Sequence, residues 1–152
     1  MNGRNRRHRI YVREAEKVSF NVEVKMAEQN RERKVLVVDD DADIRLLLSM
    51  YLTDKGYSVD MAPNGMFGLK LAEGIDYIAI ITDYHMPVMD GITMMVEARK
   101  RGINTPILIH TGENLERMIK MSDVWARHNV TVVSKGVNYD YIDEFIKQYE
   151  SK

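Results

Sequence analysis

The sequence predicts an α/β fold: a doubly wound, five-stranded parallel sheet with helices on both faces, plus an N-terminal β extension. Two observations predict it. From residue 34 onward, short apolar runs alternate with stretches whose apolar residues recur at helical spacing. Such alternation means βα units, and right-handed crossovers then leave few topologies. Two of the apolar runs also end abruptly in carboxylate, 35–38 before Asp39-Asp40-Asp41 and 78–82 before Asp83. The strand order expected for this fold class is 2-1-3-4-5, which sets strands one and three side by side at the switch point.

The elements follow in order. Residues 35–38 form the first strand, apolar throughout because both faces are covered. Ile44, Leu47, Leu48, Tyr51 and Leu52 mark one face of a helix, and Gly56 closes it in the left-handed conformation. Residues 57–61 are a short second strand, and 64–73 a second helix ended by Gly74. Residues 77–82 are the third strand. Ile92, Met95 and Val96 mark a third helix that stops at Gly102. Residues 106–110 form the fourth strand, with His110 packed inside it, and 113–127 the fourth helix, anchored by Trp125. Residues 130–133 are the fifth strand, and Ile142, Phe145, Ile146 and Tyr149 mark the last helix.

Ahead of this lies a different stretch. Residues 1–13 carry five arginines and no acid, which leaves the remaining chain with 17 basic and 23 acidic residues. Val18, Phe20, Val22, Val24 and Met26 alternate with polar residues, a period-two pattern that predicts a half-buried strand over 18–26. The expected organisation is a basic arm with extra strand and linker over 1–30, then one domain over 31–152. A solvated tail is expected of the arm rather than a nucleic-acid contact. A strand there could pair with a second copy and build a homodimer.

Composition narrows the class. Hydrophobic residues at 45% and charged residues at 30% are ordinary for a globular protein, and 152 residues can bury a core without staples. With no cysteine, disulfides and thiolate metal sites are excluded. No apolar run approaches the ~18 residues of a membrane span, and the polar N-terminus has no apolar signal core. A cytoplasmic protein with no membrane partner is expected.

The chemistry is expected at the carboxyl edge of the sheet. There Asp39, Asp40 and Asp83 converge, and clustered carboxylates need a cation, a shared proton or chemistry on one of them. An all-oxygen set beside phosphate favours Mg²⁺. Strands four and five bring Thr111 and Lys135 to the same edge. A hydroxyl and an ammonium beside a carboxylate–metal centre suit a phosphoryl group carried on an aspartate.

These residues, in this order, resemble the receiver domain of two-component response regulators: Val37-Val38-Asp39-Asp40, then Asp83 with Met86-Pro87 and Met89-Asp90-Gly91, then Thr111, then Lys135. The resemblance covers residues 34–150. It implies that Asp83 accepts a phosphoryl group from a sensor histidine kinase or histidine phosphotransfer protein. It implies that Asp39, Asp40, Asp83 and the backbone carbonyl of His85 hold Mg²⁺, and that Thr111 and Lys135 contact the phosphoryl group. It implies a signalling module rather than an enzyme, with a downstream protein target docking on helix four, strand five and helix five. His85 and Glu113 stand where family members tune phosphoryl lifetime, and the small Gly112 between Thr111 and Glu113 should leave the group accessible. Asp41 reads as a helix N-cap. The chain ends just past the last helix, so output through partner binding is expected.

Two positions depart from the family pattern. Val132 stands where an aromatic side chain normally repacks on activation, and Gly136 stands where a proline normally follows the lysine. They motivate the alternative of a degenerate receiver acting as an interaction module through the N-terminal strand. A haloacid-dehalogenase-type hydrolase is disfavoured, because it would want an Asp two residues after the nucleophile, where His85 stands. Arg6, Arg7 and Arg9 faintly resemble the start of PilZ domains, but the companion motif is missing and residues 1–30 are too short for that barrel.

Overall fold

The computed structural model describes residues 14, 17–19, 33–112, 122–136 and 139–150. The chain divides into two units, Met1–Glu32 and Arg33–Lys152. In the second unit, five strands form one all-parallel sheet: β1 (Lys34–Val38), β2 (Ser58–Ala62), β3 (Ala79–Thr82), β4 (Ile107–Thr111) and β5 (Val130–Ser134), in the order β2-β1-β3-β4-β5. The helices between and after them are α1 (Ala42–Asp54), α2 (Gly65–Gly74), α3 (Gly91–Lys100), α4 (Ser122–Arg127) and α5 (Asp140–Glu150). This is the doubly wound order expected from the alternation of apolar runs.

Strand alternation divides the core in two. Leu36, Val38, Ile80, Ile107 and Ile109 face α2, α3 and α4, against Leu69, Met94, Met95 and Trp125. Val35, Val37, Ala79, Ile81 and Leu108 face α1 and α5, against Leu48, Leu52, Ile142, Phe145 and Ile146. Apart from Lys34 at the start of β1, the three central strands are buried along their length, which is why they read as apolar runs. Trp125 anchors α4 in the core, as its sequence position predicts. The start expected for that helix, 113–121, lies outside the described residues.

Boundaries moved by a residue or two. β2 begins at Ser58 and β3 at Ala79, because Tyr57 and Tyr77 act as plugs at the strand entrances. Their hydroxyls donate to Asp143 (3.3 Å) and Asp60 (2.7 Å). β4 and β5 each run one residue further, to Thr111 and Ser134, which pair in register. Asn64 is the N-cap of α2 rather than its first residue; its side chain accepts from the Phe67 N–H at 3.1 Å. Gly56 and Gly102 both take positive φ, +88° and +76°, as helix-closing glycines should. Leu47, counted on the buried face of α1, is half exposed; Leu48 and Leu52 carry that contact with Ile44 and Tyr51.

The N-terminal extension needs correction where it can be seen. Lys17, Val18 and Ser19 are helical, and Val18 is exposed, so the strand expected from residue 18 does not begin there. Glu14, Ala15, Glu16 and Lys17 are strong helix formers, and that local preference reaches into the alternating pattern. Residues 20–26, and with them the rest of the expected strand, lie outside the described residues. Among the described residues, no helix is long and apolar enough to cross a membrane.

Candidate functional site

The site is built where β1 and β3 leave the core side by side. Val38 pairs with Thr82, so the next residues, Asp39 and Asp83, emerge together. Both are buried, at 2% and 9% exposure, while Asp40 is exposed. Oxygens of Asp39, Asp40 and Asp83 lie within 4.8 Å of one another. The three acids named from the sequence are thus brought into one cluster.

The loop after β1 is held by its own polar groups. The Asp41 N–H donates to Asp39 Oδ1 (2.9 Å) and the Asp39 N–H to the Ala62 carbonyl (3.2 Å). Asp41 caps α1, accepting from the Asp43 N–H at 2.9 Å. Arg45 reaches back from α1 and donates to the Asp39 carbonyl at 2.7 Å. Sequence reasoning missed Arg45. Its signal was its place one turn into the helix that follows the acids, where a long side chain can return to the loop.

The loop after β3 turns tightly. The Asp83 N–H donates to the Val38 carbonyl (2.8 Å) and the Gly91 N–H to the Tyr84 carbonyl (3.0 Å). A Cβ on Gly91 would collide with the Asp83 carbonyl oxygen, so only glycine fits there. Asp90 caps α3, accepting from the Thr93 N–H at 2.7 Å. Val88, 74% exposed, sits at φ +71°, a strained conformation for a β-branched residue. His85 is exposed on this loop, its ring 4.4 Å from that of Tyr84.

From the other side, Lys135 follows β5 directly. Its Nζ lies 3.1 Å from Asp39 Oδ2 and 3.3 Å from Asp83 Oδ1. Its N–H donates to the Thr111 carbonyl at 2.7 Å. Thr111 is buried at the end of β4, one strand over from Asp83 at the same edge. Gly112 is exposed beside it, and Glu113 lies outside the described residues. Burial raises the Asp83 carboxyl above its ordinary value; Lys135 pulls against this, and Asp39 adds to it. Burial would lower the Lys135 ammonium, but hydrogen bonds and charge from Asp39 and Asp83 win and hold it high.

The arrangement can do two things. Three carboxylates against one ammonium leave the cluster negative, so it can take up a cation. Oxygens sharing one Mg²⁺ lie about 3 to 4 Å apart, since each bond is ~2.1 Å, so a small contraction of the cluster suffices. The hard, all-oxygen donor set fits that ion. The Asp83 oxygens are also presented at the edge with an ammonium alongside, which suits a nucleophile that will gain negative charge.

The two positions that depart from the family pattern are also placed. Val132 is half-buried and packs on the α2–α3–α4 face of the sheet, where it offers neither ring nor hydroxyl. Gly136 is exposed directly after Lys135.

Comparison with known proteins points one way. The family model described as the response regulator receiver domain matches residues 35–147. The transcriptional regulatory protein ResD of Bacillus subtilis is 39% identical over 89 residues, 59% of this chain and 37% of that protein. RprY of Bacteroides fragilis is 32% identical over 94 residues, 62% of this chain and 40% of that protein. The match therefore spans only about two fifths of these relatives' length. Among solved structures, the response regulator TrrA of Thermotoga maritima in complex with Mg(2+)-BeF superposes with TM-score 0.67 and 32% identity. It covers 77% of this chain and 98% of its own. The Vibrio cholerae chemotaxis protein CheY4 superposes with TM-score 0.66 and 30% identity, covering 76% and 97%.

Proposed function

The chain belongs to the response regulator receiver domain family, and from that premise we propose that Asp83 accepts a phosphoryl group from a phosphohistidine donor. The donor is a sensor histidine kinase or a histidine phosphotransfer protein. The observation that carries this reading is the junction of Asp39, Asp40 and Asp83 at the ends of adjacent strands, with Lys135 bridging Asp39 and Asp83.

An Asp83 carboxylate oxygen attacks the phosphorus. The new P–O bond forms as the donor's P–N bond breaks, and the departing imidazole takes up a proton. Burial and the Asp39 charge raise the Asp83 carboxyl, so the nucleophile relies on Lys135, which pulls the other way, to stay ionised. Lys135, already 3.3 Å from Asp83, neutralises the incoming charge. Thr111 supplies a hydroxyl donor from β4. Asp39, Asp40, Asp83 and the His85 carbonyl would hold Mg²⁺, which supplies charge neutralisation between carboxylate and phosphoryl oxygens when bound. Arg45 and the Asp41 cap keep the loop carrying Asp39 and Asp40 in place. The output is partner binding by a surface that phosphorylation biases.

The test is phosphorylation by a small phosphoramidate donor, followed by intact mass. Wild type should gain one phosphoryl group in Mg²⁺ and none in excess chelator, and Asp83→Asn should gain none. Equal incorporation in Asp83→Asn would refute the assignment.

A further inference from the structure

Phosphoryl uptake needs a path to a surface, and the usual aromatic path on β5 is missing. Val132 offers only methyl groups there. One buried group close to the site is unused by the reaction. His110 is 2% exposed, and neither ring nitrogen has a hydrogen-bond partner among the described residues. Native structures rarely leave such atoms unpaired, so each one calls for an explanation. Strand alternation sends Thr111 and His110 to opposite faces of β4, so His110 faces α5. Its ring stands 6.1 Å from that of Tyr139 and 5.8 Å from that of Tyr141, at the start of α5. The Tyr141 hydroxyl is also buried; the Gly136 N–H faces it without reaching hydrogen-bond geometry. Tyr139 in turn packs on Tyr51 of α1 at 5.6 Å.

We propose that His110 is a positioning residue that links the phosphoryl site to the first turn of α5, so that the relay leaves β4 on the α1–α5 face of the sheet. The proposal rests on phosphoryl uptake at Asp83. Thr111 and Lys135 are joined by a 2.7 Å backbone hydrogen bond, and His110 directly precedes Thr111 in β4. A phosphoryl group that draws both toward itself moves the His110–Thr111 peptide. The imidazole, held neutral by burial and by the Lys135 charge, is free to accept. It then accepts a hydrogen bond from the Tyr141 hydroxyl, and the first turn of α5 follows. The two states of this element are an unpaired and a paired imidazole, and the phosphoryl group biases the second.

The experiment uses the ¹⁵N-labelled full chain, activated with beryllofluoride and Mg²⁺, with His110→Leu and Tyr141→Phe as variants. In wild type, activation should shift the His110 ring nitrogens and the amides of residues 139–143. In both variants the amide response should fall by about half or more, while phosphorylation of Asp83, read by mass, continues. Both variants should also melt higher, because each deletes a buried polar atom; a merely structural role would lower the melting temperature and leave the response alone. If His110→Leu does not fold, Tyr141→Phe carries the test by itself. A full α5 response in the variants, with Asp83 phosphorylated, overturns the relay alone. Absence of any wild-type phosphorylation overturns the functional reading and the relay with it.

Discussion

Asp83 and His110 are both buried, but burial acts on them in opposite directions. The carboxyl of Asp83 is raised, by burial first and then by Asp39, against Lys135. The folded chain therefore holds that proton more tightly than the unfolded one, and this contribution to stability is lost as pH rises through the raised value. Asp83→Asn should therefore raise the denaturant midpoint of the metal-free protein at neutral pH; a fall would contradict the electrostatics. The imidazole of His110 is pushed down from 6.5 to about 4, by burial first and then by Lys135. Below pH 6.5 the unfolded imidazole takes a proton that the folded one refuses. Stability should thus fall by about 3 kcal/mol between pH 6.5 and 4, at 1.36 kcal/mol per pKa unit. His110→Leu should flatten that part of a pH–stability profile measured by urea titration. Asp83 was legible in the sequence because it ends an apolar run. The electrostatic standing of either residue was not, because it depends on groups far along the chain: Lys135 is separated from Asp39 by 96 positions.

The loop between β3 and α3 shows how an element can be half legible. The helical spacing of Ile92, Met95 and Val96 places a helix after the Met-Pro loop, and Asp90 caps that helix, α3. What the letters did not show is that Gly91 lies against the Asp83 carbonyl, or that Val88 takes a left-handed conformation. Left-handed backbone costs a non-glycine residue roughly 1–2 kcal/mol. Val88 is 74% exposed, so little packing is lost on replacing it. Val88→Asn should gain about 1 kcal/mol in chemical denaturation, since asparagine tolerates this conformation. Gly91→Ala should lose roughly 1–3 kcal/mol, the scale of forced overpacking, and should slow phosphorylation because the Asp83 peptide must shift. No loss in Gly91→Ala would mean the loop is looser than its geometry. The alternating stretch from residue 18 can be compared only at its start, where Lys17, Val18 and Ser19 are helical after a run of strong helix formers; residues 20–26 lie outside the described residues.

At the scale of the whole molecule, strand order converts two distant motifs into one site. The alternation of apolar runs and helical faces made the fold readable, since a parallel sheet covered on both sides leaves unbroken apolar strands. The acids followed from that topology, because β1 and β3 are neighbours. The Arg45 hydrogen bond and the lack of a partner for the His110 ring among the described residues did not, since both depend on folded geometry. With the proposed Mg²⁺ role, the cluster would couple ion binding to the stability of the second unit. At Mg²⁺ a hundredfold above its dissociation constant, linkage adds about 2.7 kcal/mol. Thermal melts should shift upward by several degrees with Mg²⁺ in wild type, and much less in Asp39→Asn or Asp40→Asn.

The most direct measurement locates the acyl phosphate in the chain. The protein is phosphorylated in Mg²⁺, reduced with borohydride, which turns a phosphorylated aspartate into homoserine, and mapped by peptide mass spectrometry. The account predicts homoserine at position 83 alone. Homoserine at Asp39, Asp40 or elsewhere, or at no position, would contradict it.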